Sequence, residues 1–363
     1  MPYWSLYLKS LGLDPRQIGM LAGAVMATKI VAPSIWGWLA DHSGRRLSVI
    51  RIGSFLAFAC FSALYFSQSF SWLLFVVLGY SFFWNAVLAQ FEVLTLSHLD
   101  NEHNRYSQIR LWGSIGFITA VLLLGILFDF VSIGYLPIVL AGFLLGIWLC
   151  SLWVPDSMPR PAQPNNAGLL DILRRPSVLA FLSACCLLQI AHGPYNTFFS
   201  LYLDYYGFNR TLIGQLWALG VLAEVVLFIF MHRLLPFFDV RKLILLSLLL
   251  SVIRWLIIAY GVESMPLLIV GQLMHAATFG AFHAAAIELV RRAFPSHLAG
   301  QGQAVYSGLS FGLGGAMGAV LSGMIWEYSA TLTFVMASLA SLIALLIAWI
   351  WIKDEQLVEC PIL

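Results

Sequence analysis

Long apolar segments follow one another along almost the whole chain, and short polar turns separate them. Hydrophobic residues make up 61% of the 363 residues and charged residues only 10%, whereas soluble globular chains carry about 25% charged residues. A helix needs about 20 apolar residues to cross a bilayer. The sequence therefore predicts an all-α, polytopic protein whose main partner is the lipid bilayer, and it leaves no stretch long enough for a soluble domain.

The apolar segments correspond to twelve predicted membrane spans, of which the first is only partial. These spans cover residues 1–9, 17–40, 47–67, 71–97, 106–128, 135–154, 177–203, 211–235, 241–260, 265–290, 299–326 and 330–352. Glycines between Gly308 and Gly323 in the eleventh span predict close packing against neighbouring helices, because small residues let helix backbones approach each other.

The two halves of the chain repeat each other with an offset of 195 residues. Ser5-Leu6-Tyr7-Leu8, Gly12, Ile18 and Gly19 recur as Ser200-Leu201-Tyr202-Leu203, Gly207, Ile213 and Gly214. Parallel repeats of six helices build a central binding site between two halves in many transporters. We therefore predict an N-terminal helical bundle (1–154), a proline-rich cytoplasmic linker (155–176) and a C-terminal helical bundle (177–363).

The repeat also bears on the start of the chain. The seventh span begins near Ser177, and a counterpart 195 residues earlier would begin before Met1. We therefore expect this sequence to be an N-terminally shortened version of a longer protein, in which the first helix is largely missing.

The distribution of basic residues predicts the orientation. Fourteen lie in or near the even-numbered turns and the C-terminal tail: Arg45, Arg46, Arg51, Arg105, Arg110, Arg160, Arg174, Arg175, Arg233, Arg241, Lys242, Arg291, Arg292 and Lys353. Only Lys9, Arg16 and Arg210 lie on the other side. Basic residues favour the cytoplasmic side of a membrane, so we expect a cytoplasmic C-terminus. These cations are scattered among turns and form no patch, which argues against a nucleic-acid partner.

Six ionisable residues fall inside or at the edge of apolar spans: Lys29, Glu92, Arg110, Glu224, Arg254 and Glu288. Such a group costs from about 2 to more than 10 kcal/mol unless it is paired or hydrated, so each one is a candidate functional residue. Lys29 and Glu224 are separated by the repeat offset and therefore occupy equivalent positions with opposite charges. Glu288 points away from His275 on the tenth span, and the alternative for it is a role in capping the helix end at Arg291 and Arg292.

Helical spacing places further polar and aromatic side chains beside these charges. They are Asn85 in the fourth span, Gln189, His192 and Asn196 in the seventh, Trp217 in the eighth, and His275, Phe279 and His283 in the tenth. We expect Pro194 to interrupt the seventh helix, so that freed backbone groups line a cavity. A purely structural alternative remains for four of the candidates: a static ion pair for Glu92 with Arg110 and for Glu224, and a hydrogen bond to a backbone carbonyl for His275 and for His283.

The turn from Gly37 to Arg46 carries the pattern G-x-x-x-D-x-x-G-R-R, with Asp41, Gly44 and Arg45 at its other fixed positions. It resembles the loop between the second and third helices of the major facilitator superfamily, although His42 stands where that family usually has Arg or Lys. The resemblance implies the major facilitator fold and a conformational role for Gly37, Asp41, Gly44, Arg45 and Arg46. The alternative is that the arginines are ordinary cytoplasmic anchors.

Three further stretches narrow the resemblance. They are Arg110-Leu111-Trp112-Gly113-Ser114-Ile115-Gly116-Phe117, the run from Gly271 to His283, and Gly302-Gln303-Ala304-Val305-Tyr306-Ser307-Gly308. They look like the phenylpropionate permease group, and the charged residues are more distantly similar to those of lactose permease-type proton symporters. That similarity implies a substrate role for Glu92 and Arg110 and proton handling by Glu224, Arg254 and His275. Lys29 has no counterpart in the sugar scheme, which argues against a sugar.

We therefore predict a secondary transporter of the bacterial inner membrane that couples uptake of a small aromatic carboxylate to protons by alternating access. Proton coupling is assigned to Glu224, Arg254, His275 and Glu92, and substrate binding to Lys29, Arg110, Asn85, Gln189, His192, Asn196, Trp217, Phe279 and His283. We expect a monomer with no cofactor other than the proton gradient, and no enzymatic activity, because the histidines have no nucleophile and base beside them. A sugar or nucleoside symporter, an efflux antiporter and a non-transporting sensor remain as alternatives.

Overall fold

The structure, a computed structural model, describes residues 2–99, 103–155, 168–234 and 239–352. All regular elements in these ranges are helices, as predicted. Most of the predicted linker (156–167), the turn at 235–238 and the C-terminal tail from residue 353 lie outside the described residues.

The helices are α1 (Trp4–Ser10), α2 (Pro15–Ser43), α3 (Arg46–Ser62), α4 (Phe70–Leu99), α5 (His103–Phe130), α6 (Leu136–Trp153), α7 (Leu169–Leu173), α8 (Pro176–Tyr205), α9 (Arg210–Leu234), α10 (Val240–Gly261), α11 (Met265–Ala293), α12 (Ala299–Trp326) and α13 (Ala330–Trp351). Within the described ranges, eleven of them are long and apolar enough to cross a membrane, all except α1 and α7. They correspond to the second to twelfth predicted spans, with ends that differ by a few residues. The partial first span is the seven-residue helix α1.

The 195-residue repeat is present in the local structure. Gly12 and Gly207, at equivalent positions after α1 and α8, adopt positive φ angles of 82° and 81°, which glycine reaches without steric cost. Asp14 then accepts a hydrogen bond from the backbone N–H of Gln17 at the start of α2, and Asn209 accepts one from Leu212 at the start of α9. These N-terminal caps fix where both helices begin.

The two repeats pack against each other through equivalent helix pairs. α2 packs on α12, and α5 packs on α9. The 195-residue offset relates α2 to α9 and α5 to α12, so the two interfaces are related by an approximate twofold axis between the repeats. Glycines allow the close approach in both places: a Cβ on Gly19 would lie 2.7 Å from the Ala319 carbonyl oxygen, and one on Gly214 would lie 2.7 Å from the Val121 carbonyl oxygen.

The structure contradicts the expected break at Pro194. Helix α8 runs without interruption from Pro176 to Tyr205. The proline is tolerated because surrounding helices bury the segment and its backbone is not exposed to lipid; a Cβ on the preceding Gly193 would collide with the backbone of Gly318 on α12. The irregular backbone lies instead in α11 and α12, which contain π-helical segments at Ala276–Ala281 and Gly308–Gly314.

Ion pairs join the two repeats at one end of the bundle. We call this end, which carries Lys9 and Asp204, the clamp end. The Lys9 Nζ lies 3.1 Å from Asp204 Oδ2, and these two residues are themselves repeat equivalents. Arg16 at the start of α2 pairs with Glu327 after α12 at 2.6 Å. Asp129 at the end of α5 accepts hydrogen bonds from the first backbone N–H groups of α9. These contacts close the clamp end.

The opposite end, which carries Asp41 and Gly44 and which we call the loop end, is more open. Near the loop end, the side chains of Arg110 on α5 and Glu92 on α4 are 68% and 50% exposed. Near the clamp end, the side chains of Asp204 and Glu327 are only 16% and 28% exposed, and a Cβ on Gly125 of α5 would lie 2.8 Å from the Arg210 carbonyl oxygen of α9.

Candidate functional site

A cavity of about 430 Å³ lies between the two repeats. Six of the predicted site residues line it, and their side chains come from both repeats. They are Lys29 on α2, Gln189 and Asn196 on α8, Trp217 on α9, and His275 and Phe279 on α11. Bound groups in such a cavity contact both halves of the protein, which is the arrangement that alternating access requires.

Among the described residues that line this cavity, Lys29 is the only Lys or Arg, and none is Asp or Glu. Among the described residues, Lys29 has neither a hydrogen bond nor an ion pair. An ammonium group that is largely removed from water without a partner is unfavourable. The cavity therefore presents a positive charge that an anionic ligand would neutralise.

Asn85 was predicted to bind substrate, but it is not among the lining residues of the cavity. Its amide Nδ2 donates a 2.8 Å hydrogen bond to Thr28 Oγ1, and that hydroxyl donates to the Val25 carbonyl oxygen at 2.8 Å. Asn85 and Thr28 are both buried. The pair holds α4 against α2 at the residue that precedes Lys29.

Aromatic rings form the walls of the cavity. Trp217 donates a 2.9 Å hydrogen bond from Nε1 to Ser200 Oγ and packs on Tyr195 at 4.6 Å between ring centroids. Phe279 stacks on His275 at 5.2 Å. These contacts hold the rings in fixed positions, so they form a preformed apolar surface for a flat ligand.

Glu224 lies next to the cavity and faces His275, which lines it. The Glu224 Oε2 is 3.6 Å from His275 Nε2, which is longer than a hydrogen bond. Gly280 in the π-helical segment of α11 leaves room for the carboxylate, because a Cβ there would lie 3.1 Å from Glu224 Cγ. Lys29 and Glu224 each lie fourteen residues after the first residue of their helix, Pro15 and Arg210, and so at the same depth.

Arg254 is fully buried and does not contact Glu224 directly. Its Nε donates to the Gly271 carbonyl oxygen at 2.8 Å and its Nη1 to Thr278 Oγ1 at 3.1 Å. The guanidinium also lies 4.5 Å from the ring centroids of Tyr195 and Trp255. Cation–π contacts of this kind stabilise a buried cation, so Arg254 supports Tyr195 in the cavity wall.

Two other predicted residues lie around this cluster. His192 is fully buried, and its Nδ1 donates a 2.8 Å hydrogen bond to the Leu188 carbonyl oxygen. His283 forms a 2.9 Å hydrogen bond with the Tyr306 hydroxyl, and Phe279 stacks between His283 and His275. Neither His192 nor His283 is among the lining residues of the cavity.

Arg110 and Glu92 form a separate pair nearer the loop end. Arg110 Nη1 lies 3.7 Å from Glu92 Oε1, and the two side chains are 68% and 50% exposed. An exposed pair at this distance contributes little to stability. Among the described contacts, Arg110 forms no ion pair with Glu224, whose described ion-pair contact is with His275.

The described hydrogen bonds and ion pairs of the Gly37–Arg46 turn lie within the first repeat. Gly44 ends α2 with a φ of 63°. Arg46 pairs with Asp41 and donates a hydrogen bond to Gln90 Oε1 at 2.9 Å. The turn therefore ties together α2, α3 and α4. Glu288, at the same end of α11, binds Arg291 and Arg292 at 2.7–2.8 Å, as its capping alternative predicted.

Several cavity residues were not predicted from the sequence. They include Ser5 on α1, Ala22 on α2, Phe61 on α3, Tyr80 on α4 and Phe311 on α12, together with Trp4. These are apolar, aromatic or small residues within apolar helices, and nothing in their spacing separates them from ordinary packing residues. The repeat offset is the one available signal, because Tyr80 and His275 are equivalent positions and both line the cavity.

The chain is similar in sequence and in fold to several transporters. Residues 1–336 match the MFS_1 like family. The probable 3-phenylpropionic acid transporter of Escherichia coli (strain K12) is 30% identical over 332 residues, which cover 90% of this chain and 87% of that protein. Maltose permease of Geobacillus stearothermophilus is 27% identical over 371 residues, covering 98% of this chain and 91% of that protein.

The fold has a solved counterpart. A crystal structure of a mutant of the nucleoside transporter NupG superimposes with a TM-score of 0.87 at 16% sequence identity, covering 97% of this chain and 95% of that one. At this identity the match shows the fold alone, and the fold agrees with the predicted arrangement of two helical repeats. The family match, the relative at 30% identity and the eleven spans together show that this chain is a multi-pass membrane transporter of the MFS_1 like family, within the major facilitator superfamily.

Proposed function

We propose that this protein takes up a small aromatic carboxylate together with protons, and that 3-phenylpropionate represents the substrate class. The observation that carries the proposal is Lys29, an unpartnered cation in a cavity with aromatic walls, where none of the described lining residues is a carboxylate. A substrate carboxylate would supply the missing negative charge, and its ring would pack on the aromatic walls. The relative named for 3-phenylpropionic acid supports this substrate class.

The proton is assigned to the carboxylate of Glu224. A carboxyl group in an apolar span binds a proton more readily than one in water, and His275 lies 3.6 Å away to exchange it. Because Glu224 and Lys29 lie at equivalent depths in the two repeats, the proton and the anion would bind at the same level of the membrane. Arg254 and Glu92 remain proposed members of the proton pathway.

We further propose that the loop end faces the cytoplasm of a bacterial inner membrane, so that the described conformation opens inward. The basic residues of the even-numbered turns support this orientation. Transport would then move the bundle of residues 1–154 against that of residues 177–363. The ion pairs of the clamp end would break and the loop end would close, with the Gly37–Arg46 turn guiding the movement. A single chain suffices for this cycle, driven by the proton gradient without another cofactor.

The substrate class is tested by competition. The purified full chain is reconstituted into liposomes and loaded with unlabelled 3-phenylpropionate, and entry of labelled 3-phenylpropionate is measured with competitors outside. We expect unlabelled 3-phenylpropionate to inhibit entry and 3-phenylpropanol, which has the same ring but no charge, to inhibit at least about tenfold more weakly, as expected for loss of a charged hydrogen bond.

The same assay separates the alternatives. A relative named maltose permease favours a sugar as the second candidate, so maltose and a nucleoside are included as competitors and as labelled substrates. Exchange of labelled maltose or nucleoside without exchange of 3-phenylpropionate would contradict the carboxylate proposal.

A further inference from the structure

The two repeats differ at one pair of equivalent positions in the cavity. In the second repeat the Trp217 indole fills the space beside Ser200, to which its Nε1 donates a 2.9 Å hydrogen bond. The positions 195 residues earlier are Ala22 and Ser5, and both line the cavity. The first repeat therefore has a methyl group where the second has an indole ring.

The backbone positions of these two pairs correspond closely. Trp217 lies seven residues after the first residue of α9, and Ala22 lies seven after the first residue of α2. Ser5 and Ser200 each lie seven residues before the glycine with positive φ that ends the segment, Gly12 or Gly207. The two repeats thus differ in side-chain size at the matched positions Ala22 and Trp217. The smaller side chain of Ala22 leaves a space beside Ser5 that is open to the cavity.

The Ser5 hydroxyl has no hydrogen bond with any described residue, whereas the equivalent Ser200 hydroxyl accepts one from Trp217. The side chains around the open space suit a flat apolar ring. Trp4 packs on Phe61 with ring centroids 6.1 Å apart, and Phe61 packs edge-on against Tyr80 at 5.2 Å. All three rings line the cavity. The space therefore combines aromatic walls with one available hydroxyl group.

We propose that Ser5 and Ala22 form the subsite for the substrate ring, which occupies in the first repeat the place that the Trp217 indole occupies in the second. This inference rests on the proposed function, because it assumes that the substrate is an aromatic carboxylate. Lys29 lies seven residues after Ala22, on the same face of α2 and about 10 Å further along the helix. A ligand with a short chain between its ring and its carboxylate spans that distance together with the lysine side chain.

The comparison with Trp217 also indicates which kind of aromatic ring the subsite binds. An indole N–H placed in the subsite would donate a hydrogen bond to Ser5 Oγ, as Trp217 does to Ser200. The ligand class is therefore aryl and indolyl carboxylates, and indole-3-propionate should bind at least as well as 3-phenylpropionate. A satisfied neutral hydrogen bond contributes about 1 kcal/mol, or roughly fivefold in affinity.

Ala22→Trp tests the subsite, because its indole can occupy the space and bond to Ser5. We expect this variant to bind 3-phenylpropionate and indole-3-propionate at least about thirtyfold more weakly, from loss of most of the ring's apolar burial. Val31→Trp is the matched control, because Val31 is 54% exposed and lies nine residues along α2, on the opposite face. Ser5→Ala should weaken indole-3-propionate about fivefold and leave 3-phenylpropionate within about twofold.

A labelling experiment keeps the proposal testable if Ala22→Trp does not fold. Ala22→Cys is introduced after replacement of the five native cysteines, and its alkylation rate is measured with and without 3-phenylpropionate. We expect protection at the same concentrations that saturate binding. Binding without protection, or unchanged affinity in a folded Ala22→Trp protein, would overturn the subsite. Failure of the proposed function is a different result, since the unmodified protein would then bind neither carboxylate.

Discussion

Replacement of Lys29 by Gln is expected to lower the affinity for 3-phenylpropionate by about 100-fold, because a charge pair of this kind contributes about 2–5 kcal/mol when it is desolvated. In the described part of the chain, Lys29 is the only Lys or Arg that lines the cavity, and no side chain there pairs with it. Gln keeps most of the side-chain volume and removes only the charge. Lys29→Arg keeps the charge and should retain a larger part of the affinity than Gln does.

Equilibrium binding of labelled 3-phenylpropionate to the purified variants is the measurement. Lys242→Gln is the control, because Lys242 lies exposed on α10 outside the cavity, and it should bind like the unmodified protein. The uncharged analogue 3-phenylpropanol should bind equally well to the Lys29→Gln and unmodified proteins. Unchanged 3-phenylpropionate affinity in Lys29→Gln would show that Lys29 does not bind the substrate carboxylate. The main argument for a carboxylate substrate would then be lost.

Glu224→Gln is expected to abolish accumulation of substrate against its gradient while exchange across the membrane continues. A glutamine cannot bind and release the coupled proton, so the proton gradient no longer drives the cycle. Substrate contacts through Lys29 and the aromatic walls remain, so the loaded protein can still change conformation. Accumulation should fall to the equilibrium level, whereas exchange should stay within about threefold and lose its dependence on pH.

Both activities are measured in the same proteoliposomes. Glu263→Gln serves as the control, because Glu263 is exposed in the turn after α10 and does not line the cavity. Full accumulation by Glu224→Gln would show that another group carries the coupled proton. The nearest candidate is His275, 3.6 Å from Glu224. Loss of exchange as well as accumulation would instead indicate that Glu224 binds substrate or holds the helices together.

The sequence was sufficient for the fold because the signals for it are local and repeated. Apolar segment lengths, the glycines at Gly12 and Gly207 and the turn at Gly37–Arg46 each predict a helix or a turn without knowledge of neighbouring elements. The 195-residue offset then predicts how the two halves are related. The family resemblance followed from the Gly37–Arg46 turn together with three further stretches of sequence, and the family match confirms it.

The candidate site was predictable only in part, because pairings between helices depend on packing. Lys29 and Trp217 could be selected as unusual residues on predicted helix faces, and both line the cavity. Asn85 looked equally suitable, yet its amide is used by Thr28. Pro194 suggested a broken helix, although the irregular segments formed in α11 and α12, where several small residues follow one another.

The small residues of the cavity carry the least sequence signal. Ala22 and Ser5 are ordinary residues in an apolar helix, and only the repeat comparison with Trp217 and Ser200 distinguishes them. The open space beside Ser5 exists because the side chains around it are small. No sequence motif identifies such a space. Comparison of equivalent positions in the two repeats is therefore the route by which sequence could have indicated a ring subsite.

The central claim is that a proton gradient drives accumulation of an aromatic carboxylate. The most direct measurement is uptake of labelled 3-phenylpropionate into liposomes that contain the purified full chain, with an inward proton gradient imposed, with and without a protonophore, and with empty liposomes to subtract diffusion of the free acid. We expect a protein-dependent rise in the internal concentration above the external one, which the protonophore abolishes. Protein-dependent uptake that only reaches equilibrium, or accumulation that the protonophore leaves unchanged, would contradict the account.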